Sequence, residues 1–158
     1  MPELHLFIDG SVDPRSKIGF GACLLLTSLP LTSAGLQDRV RTRRFTGTSS
    51  TRLELQTLLW ALQELPPSTH PLHIHTDSRN VAGLLARKER LRRQDFCARS
   101  GKPLNNAQLY RELYQLIEAR DCTFVKQIGH QPAIRKNLLD QLFSLVDRAA
   151  RQALRKAD

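Results

Sequence analysis

Four acidic residues have the types and settings that could do chemistry. They are Asp9, Glu54, Asp77 and Asp147. The first and third end apolar, strand-like runs, and the other two lie in helix-like stretches. A carboxylate at the edge of a hydrophobic core is costly unless a counter-charge lies nearby. If the strands are neighbours, their acids converge and need cations, and hard oxygen ligands favour Mg²⁺ or Mn²⁺ shared with a polyphosphate substrate.

The charge balance of the chain indicates what that polyphosphate is. There are 24 Lys and Arg residues against 15 Asp and Glu residues, which gives a formal net charge of +9. Such a balance favours a polyanionic partner, although net charge says nothing about the fold. Together with the acids, it predicts metal-dependent cleavage of nucleic acid.

Length and composition exclude several other classes of protein. With 158 residues, of which 41% are hydrophobic, we expect one soluble domain spanning residues 1–158. The sequence has no secretory signal and no apolar run near the roughly 20 residues of a membrane helix. Three scattered cysteines indicate free thiols, not a zinc site or a disulfide framework. We therefore expect a cytoplasmic protein without a membrane partner, acting as a monomer.

The four acids must be positioned by a sheet and helices whose order can be read from the hydrophobic pattern. Strands are predicted at residues 4–9, 19–27, 39–45, 72–76 and 122–128, and helices at 51–65, at 80–87, from 105 and from 134 onwards. A loop is predicted at 11–16. Three strands with short links favour an antiparallel meander, and the later alternation favours a mixed sheet with helices on both faces. The fold class is therefore α/β with a mixed α+β order.

Residues 87–102, the basic segment, concentrate positive charge just after the third acid. A solvated helix face is the ordinary explanation of such a run. Its position instead favours a protrusion that tracks phosphates, with Arg90, Arg92 and Arg93 as the expected contacts.

Five fragments, taken in order, resemble a known family. They are Phe7-Ile8-Asp9-Gly10-Ser11 with Gly19-Phe20-Gly21-Ala22, Arg52-Leu53-Glu54-Leu55, Thr76-Asp77-Ser78, Val125-Lys126 with Gly129-His130, and Asp147-Arg148-Ala149-Ala150-Arg151. Each fragment is weak alone, but together they resemble type 1 ribonuclease H and the wider ribonuclease H superfamily over nearly the whole chain. The resemblance implies a five-stranded mixed sheet with strands one to three antiparallel, which agrees with the order of elements above.

The resemblance also implies an activity. The family hydrolyses the RNA strand of RNA–DNA hybrids with two Mg²⁺ ions (Mn²⁺ is possible), leaving 3′-hydroxyl and 5′-phosphate ends. Asp9 would bridge both ions, and Glu54, Asp77 and an acid of the last helix would complete their ligands. One ion would activate a water and the other would stabilise the leaving oxygen. His130 would assist proton transfer or product exit.

The fourth acid departs from the family pattern. The spacing from His130 to Asp140 resembles the usual one, but Asp147 carries the matching Asp-x-x-Ala-Arg context. The two are two helical turns apart and share a face, so either could point at the metals. We favour Asp147, with Asp140 as the alternative.

The expected nucleic-acid contacts near the acids also depart from the family. Ser50 and Thr51 replace the asparagines that contact RNA 2′-hydroxyls, although hydroxyl groups can still reach a 2′-OH. Ser11, Arg15 and Arg52 complete this predicted set. Strict hybrid specificity is therefore less firmly predicted than hydrolysis. The alternatives are a nuclease of this fold acting on DNA junctions or double-stranded RNA, a catalytically silent nucleic-acid-binding module, and an unrelated α/β protein.

Overall fold

The computed structural model describes residues 3–128 and 137–157. The strands are β1 Leu4–Asp13, β2 Ile18–Leu26, β3 Arg41–Phe45, β4 Leu72–Thr76 and β5 Cys122–Lys126. The helices are α1 Ser50–Glu64, α2 Arg79–Ala82, α3 Leu84–Arg93, α4 Ala107–Glu118 and α5 Leu138–Lys156. A single 3₁₀ turn at Gln37–Arg39 precedes β3.

The five strands form one mixed sheet in the order β3-β2-β1-β4-β5. Strands β1, β2 and β3 are antiparallel neighbours, whereas β4 runs parallel to both β1 and β5. The predicted mixed sheet with an antiparallel meander is confirmed. In the parallel pair, Phe7 lies opposite His75. Because Asp9 and Asp77 each follow these residues by two positions, both acids lie at the same end of the parallel pair.

Helices cover both faces of the sheet, as predicted. Leu6 and Ile8 of β1 point into a core formed with α1 and α4. Phe7, between them, points into a second core under α5, where Val146 and Ala150 are fully buried. The alternation along β1 therefore reflects a strand that is packed on both sides.

Three glycines let α1 lie unusually close to the sheet. A β-carbon at Gly10 would come within 2.9 Å of Leu53 Cδ2, and one at Gly21 would come within 2.3 Å of Thr57 Oγ1. Gly19 also faces Leu53, at 2.9 Å from Cδ2. A β-carbon at any of these positions would force the buried Leu53 or Thr57 side chain to shift, so glycine suits the close approach of α1. The close approach brings the first turns of α1, and Glu54 with them, down to β1.

Strand β1 is longer than the sequence predicted, and the loop expected at residues 11–16 begins only after Asp13. The Asp13 side chain closes the turn itself, with Oδ1 accepting from Arg15 N at 3.0 Å and Oδ2 accepting from Ser16 Oγ at 3.0 Å. Lys17 then adopts a left-handed conformation with φ of 59°. The turn residues were recognised correctly, but their hydrogen bonds begin two residues later than expected.

The helix predicted at 80–87 is two helices. Gly83 interrupts it at φ −92° and ψ 6°, and the second helix, α3, runs on through the basic segment to Arg93. Among the residues that the structure describes, no helix is both long and apolar enough to cross a membrane.

Candidate active site

Three of the four predicted acids line one small cavity of about 10 Å³ at the end of the parallel strand pair. Asp9 reaches it from β1, Asp77 from the turn after β4, and Glu54 from the first turns of α1. The cavity is lined by Ile8, Asp9, Gly10, Glu54, Thr57, Thr76, Asp77, Ser78 and Val81. Strand pairing and the close approach of α1 therefore bring these three acids together, although Asp9 and Asp77 are 68 positions apart in the sequence.

The environment of Asp9 disfavours its negative charge. Burial first, and then the neighbouring Asp77 and Asp147 carboxyl groups, together raise the pKa of Asp9 to about 8, against a hydrogen bond from the Gly10 N–H that lowers it. A cation held among these carboxylates would reverse this effect, because an opposite charge favours the ionised form.

Glu54 is held by Ser78, which was not among the predicted site residues. Ser78 Oγ donates to Glu54 Oε2 at 2.6 Å and accepts from Val81 N at 3.1 Å, so it caps α2 as well. Burial raises the pKa of Glu54, Ser78 counteracts this, and the nearby Asp77 adds to the rise. The position of Ser78 directly after Asp77 was the available signal for this second role.

The structure brings Asp147, and not Asp140, to the other acids. The Asp147 carboxyl hydrogen-bonds with Asp9, and its Oδ2 accepts from Arg151 Nη2 at 2.8 Å. Asp140 lies two turns away, where it forms a capping box with Asn137: Asp140 N donates to Asn137 Oδ1 at 2.9 Å, and Asn137 N donates to Asp140 Oδ2 at 3.2 Å. Asp140 therefore has a local structural task at the start of α5.

The predicted catalytic histidine, His130, lies outside the described residues. Another histidine, His75, is buried on β4 with 2% of its surface exposed. Its Nε2 lies 3.0 Å from His5 Nδ1, and its ring stacks on Phe7 with centroids 4.2 Å apart. Burial first, and then the neighbouring His5 and His73, together lower the pKa of His75 to about 4. His5 and His75 are therefore packed within the sheet and are not brought to the acids by any contact in the described residues.

The predicted contacts at the start of α1 are mostly exposed. Ser50 and Thr51 present their hydroxyls to solvent in the first turn of the helix that carries Glu54. Arg52 is half-buried, and its Nη1 donates to Asn106 Oδ1 at 3.1 Å, which joins the starts of α1 and α4.

The other two predicted contacts lie along β1. Ser11 is half-buried and follows Asp9 by two positions, so it is on the same face of the strand. Arg15 is exposed in the turn beyond, further from the acids along the chain.

The three arginines predicted in the basic segment differ in availability. Arg92 is paired with Glu118 and lies over the Tyr114 ring, 5.9 Å from its centroid. Arg90 and Arg93 are exposed and form no ion pair within the described part of the chain. Of the three arginines, Arg90 and Arg93 therefore have guanidinium groups that are available to phosphate. Arg92 instead connects α3 to α4.

The donor set of the acids fits a hard divalent cation, since carboxylate oxygens are its preferred ligands and Asp9 is crowded by negative groups. Within residues 3–128 and 137–157, however, no three Asp, Glu, His or Cys side chains form a group that could hold a metal as they stand. The chemistry of the donors therefore supports a metal, whereas a complete set of ligands is not formed by the side-chain positions alone.

Comparison with known proteins agrees with the fold. The chain is similar to the solution structure of the PFV RNase H domain, with a TM-score of 0.74, 19% identity, and 96% of this chain and 93% of that chain covered. It is also similar to a foamy viral protease-reverse transcriptase in complex with dsDNA, with a TM-score of 0.66, 16% identity and 96% of each chain covered. None of the curated proteins matches it. The family model for RNase H matches residues 1–155. The chain therefore belongs to the RNase H family and is a ribonuclease H enzyme.

Proposed function

We propose that this protein is a metal-dependent endoribonuclease that cuts the RNA strand of RNA–DNA hybrids and leaves 3′-hydroxyl and 5′-phosphate ends. The observation that supports it most is the setting of Asp9, whose carboxyl lines one cavity with Glu54 and Asp77 and hydrogen-bonds with Asp147. Burial, and after it the neighbouring Asp77, raises the pKa of Asp9 to about 8. Such crowding of acids is unfavourable in a purely structural role and suits a site for cations.

Asp9, Glu54, Asp77 and Asp147 are the residues that would hold two Mg²⁺ ions, or Mn²⁺ in their place. Divalent ions bound there supply an activated water and stabilise the departing oxygen. The remaining acid, Asp140, is proposed to stay outside the site because it caps α5.

Other side chains of the protein would orient these acids. Ser78 fixes the Glu54 carboxylate through its 2.6 Å hydrogen bond, and Arg151 holds Asp147 from one helical turn further along α5. His130 is proposed to move a proton or assist product exit.

Substrate binding would use two surfaces. Ser11, Ser50 and Thr51 offer hydroxyls beside the acids, which suits recognition of the 2′-hydroxyls that distinguish RNA from DNA. Arg90 and Arg93 offer charges to backbone phosphates. Arg15 and Arg52 would add further positive charge near the acids.

Cleavage of a hybrid with separately labelled strands tests the proposal. In Mg²⁺ we expect cuts in the RNA strand only, lost in EDTA and in Asp9→Asn. Hybrid binding by this variant should be retained or tightened, because the substitution removes a negative charge that faces phosphate. Asp38→Asn, at an acid in the 3₁₀ turn before β3, is the matched control and should cleave normally.

Other substrates separate the alternatives. Faster cleavage of double-stranded RNA or of a DNA junction than of the hybrid would contradict the proposed substrate while retaining the metal chemistry. Tight hybrid binding without cleavage in Mg²⁺ or Mn²⁺ would instead support a silent binding module.

A further inference from the structure

Thr57 of α1 carries a buried hydroxyl that the fold does not satisfy. The residue is 1% exposed, and its Oγ1 has no hydrogen-bond partner among the residues that the structure describes. Buried hydroxyls are nearly always bonded to protein or to ordered water, because leaving one unpaired is costly. The Thr57 hydroxyl therefore requires a partner.

The location of this hydroxyl indicates what that partner is. Thr57 follows Glu54 by three positions, so both residues lie on the same face of α1. Both line the cavity that Asp9 and Asp77 also line. Gly21 faces the same hydroxyl, since a β-carbon built there would be 2.3 Å from Oγ1. Thr57 therefore lies in the wall of the cavity that the three acids line.

The cavity has the size and polarity of a site for one water molecule. Its volume is about 10 Å³, close to the roughly 10–15 Å³ that a single buried water needs. A buried water also needs two to four polar partners. The Thr57 hydroxyl can donate one hydrogen bond, and the carboxylates of Asp9 and Glu54 can accept the two that a water donates. Ser78 Oγ is already engaged with Glu54 and Val81 N.

We propose that one ordered water occupies this cavity, accepting from Thr57 Oγ1 and donating to carboxylate oxygens of Asp9 and Glu54. Thr57 is then a positioning residue: it acts through the water to fix the inner oxygens of two acids, which leaves their outer oxygens aimed at the substrate side. The existence of the water rests on the cavity alone. Its effect on catalysis rests on the proposed function of those acids.

Crystal structures of the wild type and of two variants test the site. In the wild type, prepared in EDTA, we expect density for a water within about 3.2 Å of Thr57 Oγ1 and of at least one carboxylate oxygen. Thr57→Ser should retain that water. Thr57→Val, which has nearly the same shape without the hydroxyl, should lose it. An empty cavity in the wild type, with Oγ1 bonded elsewhere, would overturn the proposal.

A Mn²⁺ soak distinguishes the water from a cation. Anomalous signal inside the cavity, at the position within reach of Thr57 Oγ1, would overturn the assignment of water. Signal on the outer side of the carboxylates, with water retained behind them, is the expected result. If Thr57→Val does not fold, the wild-type and Thr57→Ser structures still decide the question.

Kinetics test the positioning role separately. Thr57→Val should lower kcat on the hybrid about fivefold with KM within about twofold, because the substrate contacts are intact while the acids lose one support. Thr57→Ser should restore kcat to within about twofold of wild type. Thr123→Val, which removes an exposed hydroxyl from β5, is the matched control. Unchanged kcat in Thr57→Val would refute the positioning role.

The outcomes for the water and for the enzyme are independent. If the wild type does not cleave the hybrid at all, the proposed function fails, yet the density in the cavity still shows whether the water is present. If the wild type cleaves but the cavity is empty, only the present inference fails.

Discussion

Ser78 and Glu54, 24 positions apart in the chain, are joined by a hydrogen bond of 2.6 Å between Ser78 Oγ and Glu54 Oε2. The same oxygen caps α2 by accepting from Val81 N. One buried side chain therefore sets the start of a helix and the orientation of an acid on another helix. The position of the Glu54 carboxylate depends on the turn after β4 as much as on α1.

Replacing Ser78 by Ala should impair both roles. Loss of a hydrogen bond to a charged group predicts a fall of about tenfold in kcat/KM on the hybrid. Loss of the cap predicts a decrease of about 1 kcal/mol in the free energy of unfolding. Ser78→Thr should retain most of the activity and most of the stability, because the threonine hydroxyl can also cap a helix. Asn137→Ala, which removes the cap of α5 without touching Glu54, measures the cost of a lost cap alone; a matching loss of activity there would contradict the orienting role.

Asp147 and Asp140 should differ sharply when each is replaced by Ala. Asp147→Ala removes the carboxyl that bonds with Asp9, and we expect cleavage to fall by about 100-fold or more. Asp140→Ala removes half of a capping box and should lower stability by about 1 kcal/mol with cleavage within about twofold of wild type. Single-turnover cleavage and urea unfolding of both variants decide between them. Greater loss of activity in Asp140→Ala would reverse the proposed assignment.

The arginines of the basic segment should differ in whether their loss affects nucleic-acid binding or stability. Neutralising Arg90 and Arg93 together to Gln should flatten the slope of log K against log salt by up to about 1.8, since each phosphate contact contributes about 0.9. Arg92→Gln should chiefly lower stability, because that side chain braces α3 against Glu118 and Tyr114. Hybrid binding measured from 50 to 300 mM salt gives the slopes, with Arg39→Gln, an exposed arginine in the 3₁₀ turn before β3, as the control. An unchanged slope in the double variant would assign the segment to a solvated helix face.

The buried pair His5 and His75 should make the fold sensitive to acid. The pKa of folded His75, about 4, lies below the 6.5 of an unfolded histidine. As the pH falls, the unfolded state therefore binds a proton on His75 before the folded state does. The stability that comes from burying neutral His75 is complete above pH 6.5 and is lost as the pH falls towards 4. It amounts to roughly 2–3 kcal/mol.

His75→Gln removes that contribution. Urea unfolding of both proteins in EDTA at pH 7.5, 5.5 and 4.5 should show their difference in stability shrinking as the pH falls. Thr123→Val, which changes an exposed residue of β5 that does not titrate, should show no such trend. A constant difference between wild type and His75→Gln would mean that His75 is not buried in its neutral form.

The strand order was predictable because hydrophobic alternation and short links define a meander, and because Asp9 and Asp77 each end an apolar run. The close approach of α1 to the sheet was not predictable, since a glycine in a strand does not show which helix it contacts. The role of Gly21 is evident only from the structure, where Thr57 lies against it. The break at Gly83 was missed because helical periodicity continues on both sides of it.

The choice between Asp140 and Asp147 shows the limit of periodicity most clearly. Residues two turns apart share a helix face, so hydrophobic spacing cannot separate them. A local pattern could have done so: Asn137 followed three residues later by an acid is a capping signal that gives Asp140 a task of its own. Ser78 and Thr57 were harder to find, because both act through side chains that are distant in sequence.

The three glycines beneath α1 also restrict how this protein could be made more stable. Replacing glycine by alanine commonly adds about 0.4–1 kcal/mol by lowering the entropy of the unfolded chain. Of the seven glycines in the described residues, three face α1 and three have φ between 58° and 85°, where alanine is strained. Only Gly83 would meet mainly the movable end of a side chain, that of Arg87. Packing against α1 or backbone conformation therefore restricts most of these glycines, and engineering for heat resistance would have to begin elsewhere.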